Sequence, residues 1–324
     1  MRVWCGWLVG VAVLVSCGCS RSTSAKQSPS AKQSPAVATP APGNPETVAA
    51  QNGPRLDAAV DPPIGYVAGA YRGFDRNEYP GDDTMRAMRS EHAAFAFTGY
   101  WLTVPPGAMF NQWKGKRAIL KQQGWGFLIL ANGKLEAEIL KAQKSGTAPA
   151  DLGRNDAATA VAAAKSEGFP AHAIIFLDQE EGGRLTAPQA AYLLAWTEAV
   201  AASDYHPGVY ASGQLTQDSP GAFIDTIEDI RNRIKQSHLH EVAIFDAQDQ
   251  CPPAPGCTLA AKPLSKAGEP DLIAWQYSQS PRRPSLTKSC ATTYASDNRC
   301  YAPGFPKVPL DMDVATSADP SQGR

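Results

Sequence analysis

Asp178 and Glu180 close an apolar run that reads Ala173-Ile-Ile-Phe-Leu-Asp178-Gln-Glu180-Glu-Gly-Gly. Side chains alternate along a strand, so Ile174, Phe176, Asp178 and Glu180 share one face while Ile175, Leu177 and Gln179 share the other. Two carboxylates side by side in a dry cleft do not both ionise readily. One holds its proton to higher pH and can act as a general acid, while the other stays anionic. Glycoside hydrolysis requires that division of labour. Other apolar runs end in a similar way, with Gly73-Phe-Asp75 early in the chain and Leu310-Asp311-Met-Asp313 near its end. Aromatic residues occur at the same level: Tyr100 and Trp101, Tyr210, and the Trp275-Gln276-Tyr277 triplet. Carboxylates beside flat aromatic faces suit a sugar-binding cleft.

The elements that must position these groups are legible as alternation. Strands are expected at 70–75, 95–102, 126–131, 173–180, 207–212, 242–246, 272–277 and 308–314. Helices are expected at 82–92, 113–123, 155–167, 187–202 and 222–236, between the first six strands. Gly168 is a stop for the third helix, and Thr186 with Gln189 has the spacing of a capping box for the fourth. After the sixth and seventh strands the connections hold Pro, Gly, Ser and Cys instead of a helical pattern. The expected fold is therefore α/β: a (β/α)8 TIM barrel with its last βα connections replaced by disulfide-stapled loops, rather than an open doubly wound sheet. Such barrels carry catalytic groups at the carboxyl ends of their strands. The first and eighth strands are neighbours, so Asp75 and Asp311 would meet on one rim.

The chain has 324 residues and a net charge of −1, without the basic excess of a nucleic-acid binder. Arg2 precedes an apolar run, 3–16, that is too short to span a bilayer and closes on small residues, as a signal-peptide core does. Leu14-Val-Ser-Cys17 is similar to the lipobox of bacterial lipoproteins, in which Cys17 would carry the lipid; an ordinary secretory cleavage nearby is the other reading. Residues 20–63 include the tandem repeat Ser-Ala-Lys-Gln-Ser-Pro, are rich in Pro, Ser and Ala, and contain no aromatic residue. Such a segment is expected to be a disordered tether. The organisation expected is a signal peptide with lipobox at 1–19, the tether at 20–63, a barrel domain at 64–316 and a flexible tail at 317–324. The protein would be exported and membrane-anchored, facing the periplasm or the cell exterior, and monomeric.

Export makes disulfides the default for Cys251, Cys257, Cys290 and Cys300, and the short separations favour Cys251–Cys257 and Cys290–Cys300 over the two other pairings. No cofactor or metal is expected. His238-Leu-His240-Glu241 lacks the helical spacing of a metalloprotease motif, no Gly-rich phosphate loop accompanies 113–117, and no Gly-x-Ser-x-Gly elbow occurs.

Taken in order, Gly73-Phe-Asp75, Leu177-Asp-Gln-Glu180, Gly208-Val-Tyr210, Ala274-Trp-Gln-Tyr-Ser278 and Leu310-Asp-Met-Asp313 resemble the strand ends of the family 25 glycoside hydrolases, lysozymes that act on peptidoglycan. The Gly-Phe-Asp opening, the Phe97-Thr-Gly-Tyr100 strand and the trimmed barrel more closely resemble a bacterial glycoside-hydrolase-like family of unknown function. The resemblance implies cleavage of cell-wall glycan between N-acetylmuramic acid and N-acetylglucosamine. By it, Glu180 is the proton donor, Asp178 orients or stabilises the substrate's acetamido group, and Asp75 and Asp311 hold substrate or tune that pair. Tyr100, Trp101, Tyr210, Trp275, Gln276, Tyr277 and Asp313 are the expected substrate-binding residues. The chain departs from the lysozymes at Arg76-Asn-Glu-Tyr and in the more acidic stretch Asp246-Ala-Gln-Asp249. Those departures define the alternative, a peptidoglycan- or polysaccharide-binding lipoprotein that does not turn its glycan over.

Overall fold

Each of the eight expected apolar runs forms a barrel strand in the computed structural model, which describes residues 70–92, 95–260 and 262–324. The expected signal peptide, Cys17 and the tether lie outside the described residues. The strands are β1 (Tyr71–Asp75), β2 (Phe97–Trp101), β3 (Gly126–Asn132), β4 (Ile174–Asp178) and β5 (His206–Ser212). A two-stranded hairpin follows, β6 (Thr216–Ser219) and β7 (Ala222–Ile224). The barrel resumes with β8 (Ala243–Ala247), β9 (Leu272–Ser278) and β10 (Asp311–Ala315). It closes in the order β1-β10-β9-β8-β5-β4-β3-β2.

The outer layer contains α1 (Asp82–Ala87), extended by a turn of π-helix to His92, then α2 (Arg117–Gln122), α3 (Glu136–Lys144), α4 (Pro149–Glu167), α5 (Ala187–Ala201) and α6 (Thr226–Ser237). The short α3 has no counterpart among the expected helices, because mean polarity conceals its single buried residue, Ile139. The fifth expected helix is also corrected, since residues 222–224 pair as β7. The helix itself begins after Asp225, whose carboxylate accepts the Glu228 N–H at 2.7 Å as an N-cap worth about 1 kcal/mol. At the start of α5, Gln189 accepts the Thr186 N–H at 2.8 Å, which is the Gln half of the expected capping box.

Seven of the strands run parallel, but β10 is antiparallel to both β1 and β9. This reversal explains the missing final helix. A parallel neighbour requires a crossover back to the base of the barrel, whereas an antiparallel one can descend directly from the rim. The connection 279–310 therefore stays on the rim, beside the β8–β9 connection 248–271. Disulfides Cys251–Cys290 and Cys257–Cys300 join these two segments. The expected pairing is thus corrected: each bond links two connections that lie side by side, across 39 and 43 residues, rather than closing a short loop within one of them. Longer closures remove more freedom from the unfolded chain.

Reversal of β10 also delivers the carboxyl terminus to the barrel base. Residues 317–324, expected to be a flexible tail, are instead built into the base. Ser321 is fully buried; its Oγ accepts the Ile129 N–H at 2.8 Å, its carbonyl the Ile174 N–H at 2.9 Å, and its own N–H donates to Phe127 O. The buried Arg117 guanidinium donates twice to Gly323 O, at 2.7 and 3.1 Å. A tail of small polar residues shows no hydrophobic pattern, because here it is the backbone that makes the contacts.

Candidate active site

Alternation along each strand decides which expected residues reach the barrel interior. Asp75 and Asp178 end β1 and β4 pointing inward, and Asp311 starts β10 directly opposite Asp75. Glu180 lies two residues beyond β4, on the rim. These four carboxyl groups line one cavity of about 220 Å³ with Asn77, Trp101, Leu130, Tyr210, Phe245, Gln276, Gln279, Ser280, Pro281. Space for Asp75 depends on a glycine: a Cβ at Gly99 would lie 2.6 Å from the Asp75 Cβ.

Four of the expected substrate-binding residues, Tyr100, Trp275, Tyr277 and Asp313, do not line this cavity. Adjacent residues on a strand face opposite ways. With Trp101 turned inward, Tyr100 is buried on the outer face of β2, packed on Trp113, Phe127 and Phe169, with its hydroxyl donating to Glu167 at 2.7 Å. With Gln276 inward, Trp275 and Tyr277 are buried outside β9, where they donate to Gln248 O and Thr258 O of the β8–β9 connection. Asp313 lies inward but deeper, opposite Gly73, and supports Asp75 from below without lining the cavity. Among the lining residues absent from the expectations, Asn77 and Ser280 continue the alternation of Asp75 and of Gln276 and Ser278. Carrying the two-residue period past the strand ends would have found them.

A hydrogen-bonded relay fixes the floor. Tyr210 donates to Gln276 Oε1 at 2.8 Å, Gln279 donates to the same oxygen at 2.8 Å, and Gln276 Nε2 donates to Asp75 at 2.7 Å. The Ser280 N–H donates to Asp311 at 2.5 Å, and Trp101 Nε1 to Arg76 O at 3.1 Å. On the far rim Arg283 forks onto the buried Asp249, and its charge partly offsets the upward pressure on Glu180.

Burial dominates the titration of the cluster. It lifts Asp75 to about 6, against the stabilising hydrogen bond from Gln276. Asp178 is pushed well above the ordinary carboxylate range by burial and then by the neighbouring Glu180 and Asp75, and one of its oxygens is buried without a partner. Glu180, although exposed at the mouth, is also raised by loss of hydration. Asp178 and Glu180 contact each other through their carboxyl groups, so the pair retains a proton where isolated carboxyls would have lost both. Asp313 is raised by burial and by Asp75, and neither of its oxygens has a donor partner. Its contact with Asp75 is a hydrogen bond only if one of the two is protonated.

These shifts fix the pH dependence of stability. A carboxyl whose folded pKa is raised stabilises the fold fully below its unfolded pKa and loses that contribution as pH rises through the folded value. For Asp75 alone, a rise from 3.8 to about 6 corresponds to ~3 kcal/mol. The melting temperature should therefore fall as pH rises from about 4 through 6, with the more strongly raised Asp178 and Asp313 extending the fall upward, and Asp313→Asn should flatten it; calorimetry showing a rise over that window would contradict these electrostatics.

Residues 67–250, more than half of the chain, match the Rv2525c-like, glycoside hydrolase-like domain. The chain belongs to that family. Solved structures similar to it include an uncharacterized B. stearothermophilus protein at 22% identity, with a TM-score of 0.47, covering 76% of this chain and 95% of that one. The Tat-secreted Rv2525c of Mycobacterium tuberculosis, in complex with L-tartrate, is 12% identical with a TM-score of 0.43, again covering 76% and 95%. The catalytic domain of endolysin ply40 from Listeria monocytogenes bacteriophage P40 is 11% identical with a TM-score of 0.40, covering 76% of this chain and 93% of that one. No functionally curated protein matches the sequence. In the present chain four carboxyl groups surround one cavity.

Proposed function

We propose that the protein is an exported glycoside hydrolase of cell-wall glycan, of muramidase type, tethered through a lipid on Cys17. The observation that carries the reading is the Asp178–Glu180 carboxyl pair, one buried and one at the mouth, in a cavity that also holds Asp75 and Asp311. Glu180 donates its proton to the glycosidic oxygen, where access from the mouth is open. In the free protein the proton of the pair rests on the deeper Asp178; it passes to Glu180 through their carboxyl contact as the sugar enters, which leaves Asp178 anionic to orient the substrate's acetamido group and stabilise the positive charge that develops as the bond breaks. Asp75, fixed by Gln276, and Asp311, fixed by Ser280, hold the sugar beneath the scissile bond. Trp101 and Tyr210 form the aromatic walls. Export and anchoring are supported by the short apolar run and the Leu14-Val-Ser-Cys17 tetrapeptide.

The reading is tested by incubating the protein with purified peptidoglycan and measuring new reducing ends. Asp178→Asn keeps the shape but removes the charge, and should lower kcat by about 10²–10³-fold with KM little changed. A KM effect with unaltered kcat would move Asp178 from catalysis to binding.

A further inference from the structure

Six large apolar side chains are strongly exposed among the described residues: Val104, Met109, Phe110, Leu135, Leu215 and Phe223. All six lie in connections that leave the carboxyl ends of strands, at the face where the carboxyl cavity opens. Val104, Met109 and Phe110 follow β2, Leu135 follows β3, and after β5 Leu215 precedes β6 and Phe223 lies within β7. No outer helix and no part of the base carries one among the described residues. Exposed apolar residues gathered on one functional face mark a contact surface.

Both halves of this surface are fastened to the cavity. In the β2 connection, Asn111 donates to Trp101 O at 2.8 Å and Asn77 donates to Pro106 O at 2.9 Å, and both Trp101 and Asn77 line the cavity. The hairpin is gripped by Arg184, which bonds Asp218 at 2.7 and 3.0 Å and the buried Asp229 at 3.1 Å, four residues after Glu180. Around the closed barrel β2 and β5 are separated by β3 and β4, so the two apolar segments stand on either side of the strand that carries Asp178 and leads to Glu180.

The chemistry of the surface favours sugar over lipid. A lipid-inserting hairpin places its apolar residues at the tip, but here the tip, Asp218-Ser-Pro-Gly221, is polar, with Phe223 behind it in the middle of β7 and Leu215 before the start of β6. The exposed Gln112 lies two residues beyond Phe110, and Phe223 pairs across the hairpin with the exposed Gln217. Rings interleaved with amides match the apolar faces and hydroxyl edges of a glycan. The cavity itself is small, so sugars on either side of the one bound inside must lie along this rim.

The geometry points to an extended glycan-binding rim in which Phe110 and Phe223 stack on sugar rings at opposite ends of the cleft, selecting long insoluble chains over short soluble ones. This rests on the glycan reading of the cleft but does not require turnover. The test uses the full-length chain in detergent, with retention on insoluble peptidoglycan as one measurement and turnover of a short soluble fragment as the other. Phe110→Ala and Phe223→Ala should each lower retention about tenfold, leave short-fragment turnover and the melting temperature unchanged, and be rescued by Phe→Tyr. Retention unaffected by either substitution, or lost equally for the short fragment, overturns the proposal, as would phenylalanine-dependent binding to phospholipid vesicles in place of peptidoglycan. If neither substrate is turned over while retention still depends on both rings, the rim stands and the hydrolase reading fails.

Discussion

Glu180→Gln is expected to reduce glycan turnover by about 10²–10⁴-fold, the usual worth of a positioned general acid, while leaving the fold and glycan binding intact. Glu180 is the one carboxyl of the cluster at the mouth of the cavity and exposed to an incoming glycosidic oxygen, whereas Asp75, Asp178 and Asp311 lie deeper. Glutamine preserves its size and its hydrogen bonding but has no proton to give. Because the side chain is exposed, the substitution leaves no buried group unpaired, so a lost activity cannot be attributed to unfolding. Circular dichroism and peptidoglycan retention of the variant would establish that directly.

Deleting residues 317–324 is expected to prevent stable folding. The deletion removes the acceptors of the Phe127, Ile129 and Ile174 N–H groups at the barrel base and the donor to the Phe127 carbonyl, each bond worth about 1 kcal/mol. It also strips the buried Arg117 of its Gly323 carbonyl and uncovers Phe127, Ile129 and Phe169, which contact Gly323. An uncompensated buried charge alone costs about 3–5 kcal/mol, comparable with the whole stability of many domains. Ser321→Ala isolates one part of this and should cost about 1–3 kcal/mol in a denaturant titration. A truncated chain that melts within a few degrees of the intact one would show that the tail only rests on the barrel.

Much of the barrel was legible because period-two alternation is a local signal. All eight strands and the carboxylates at their ends follow from it. The same rule, applied strictly, would have excluded Tyr100 once Trp101 was placed inward, and likewise Trp275 and Tyr277 beside Gln276. Direction was not legible: nothing local in Asp311–Ala315 shows that this strand runs against its neighbours, and that reversal governs the rim connection, the disulfide partners and the fate of the tail. The pairing of Cys251 with Cys290 depends on two connections meeting in space, which residue spacing cannot report. Gln279, Ser280 and Pro281 lie past the end of β9, where the apolar pattern stops but the chain still bounds the cavity.

Whether the Asp178–Glu180 pair breaks a glycosidic bond is decided by incubating the protein and its Glu180→Gln variant with purified peptidoglycan and identifying the reducing-end sugars released. The native protein is expected to generate new N-acetylmuramic acid reducing ends, and the variant, still bound to the glycan, none above background. Release continuing at the native rate in the variant, or no release by the native protein despite tight binding, would contradict it.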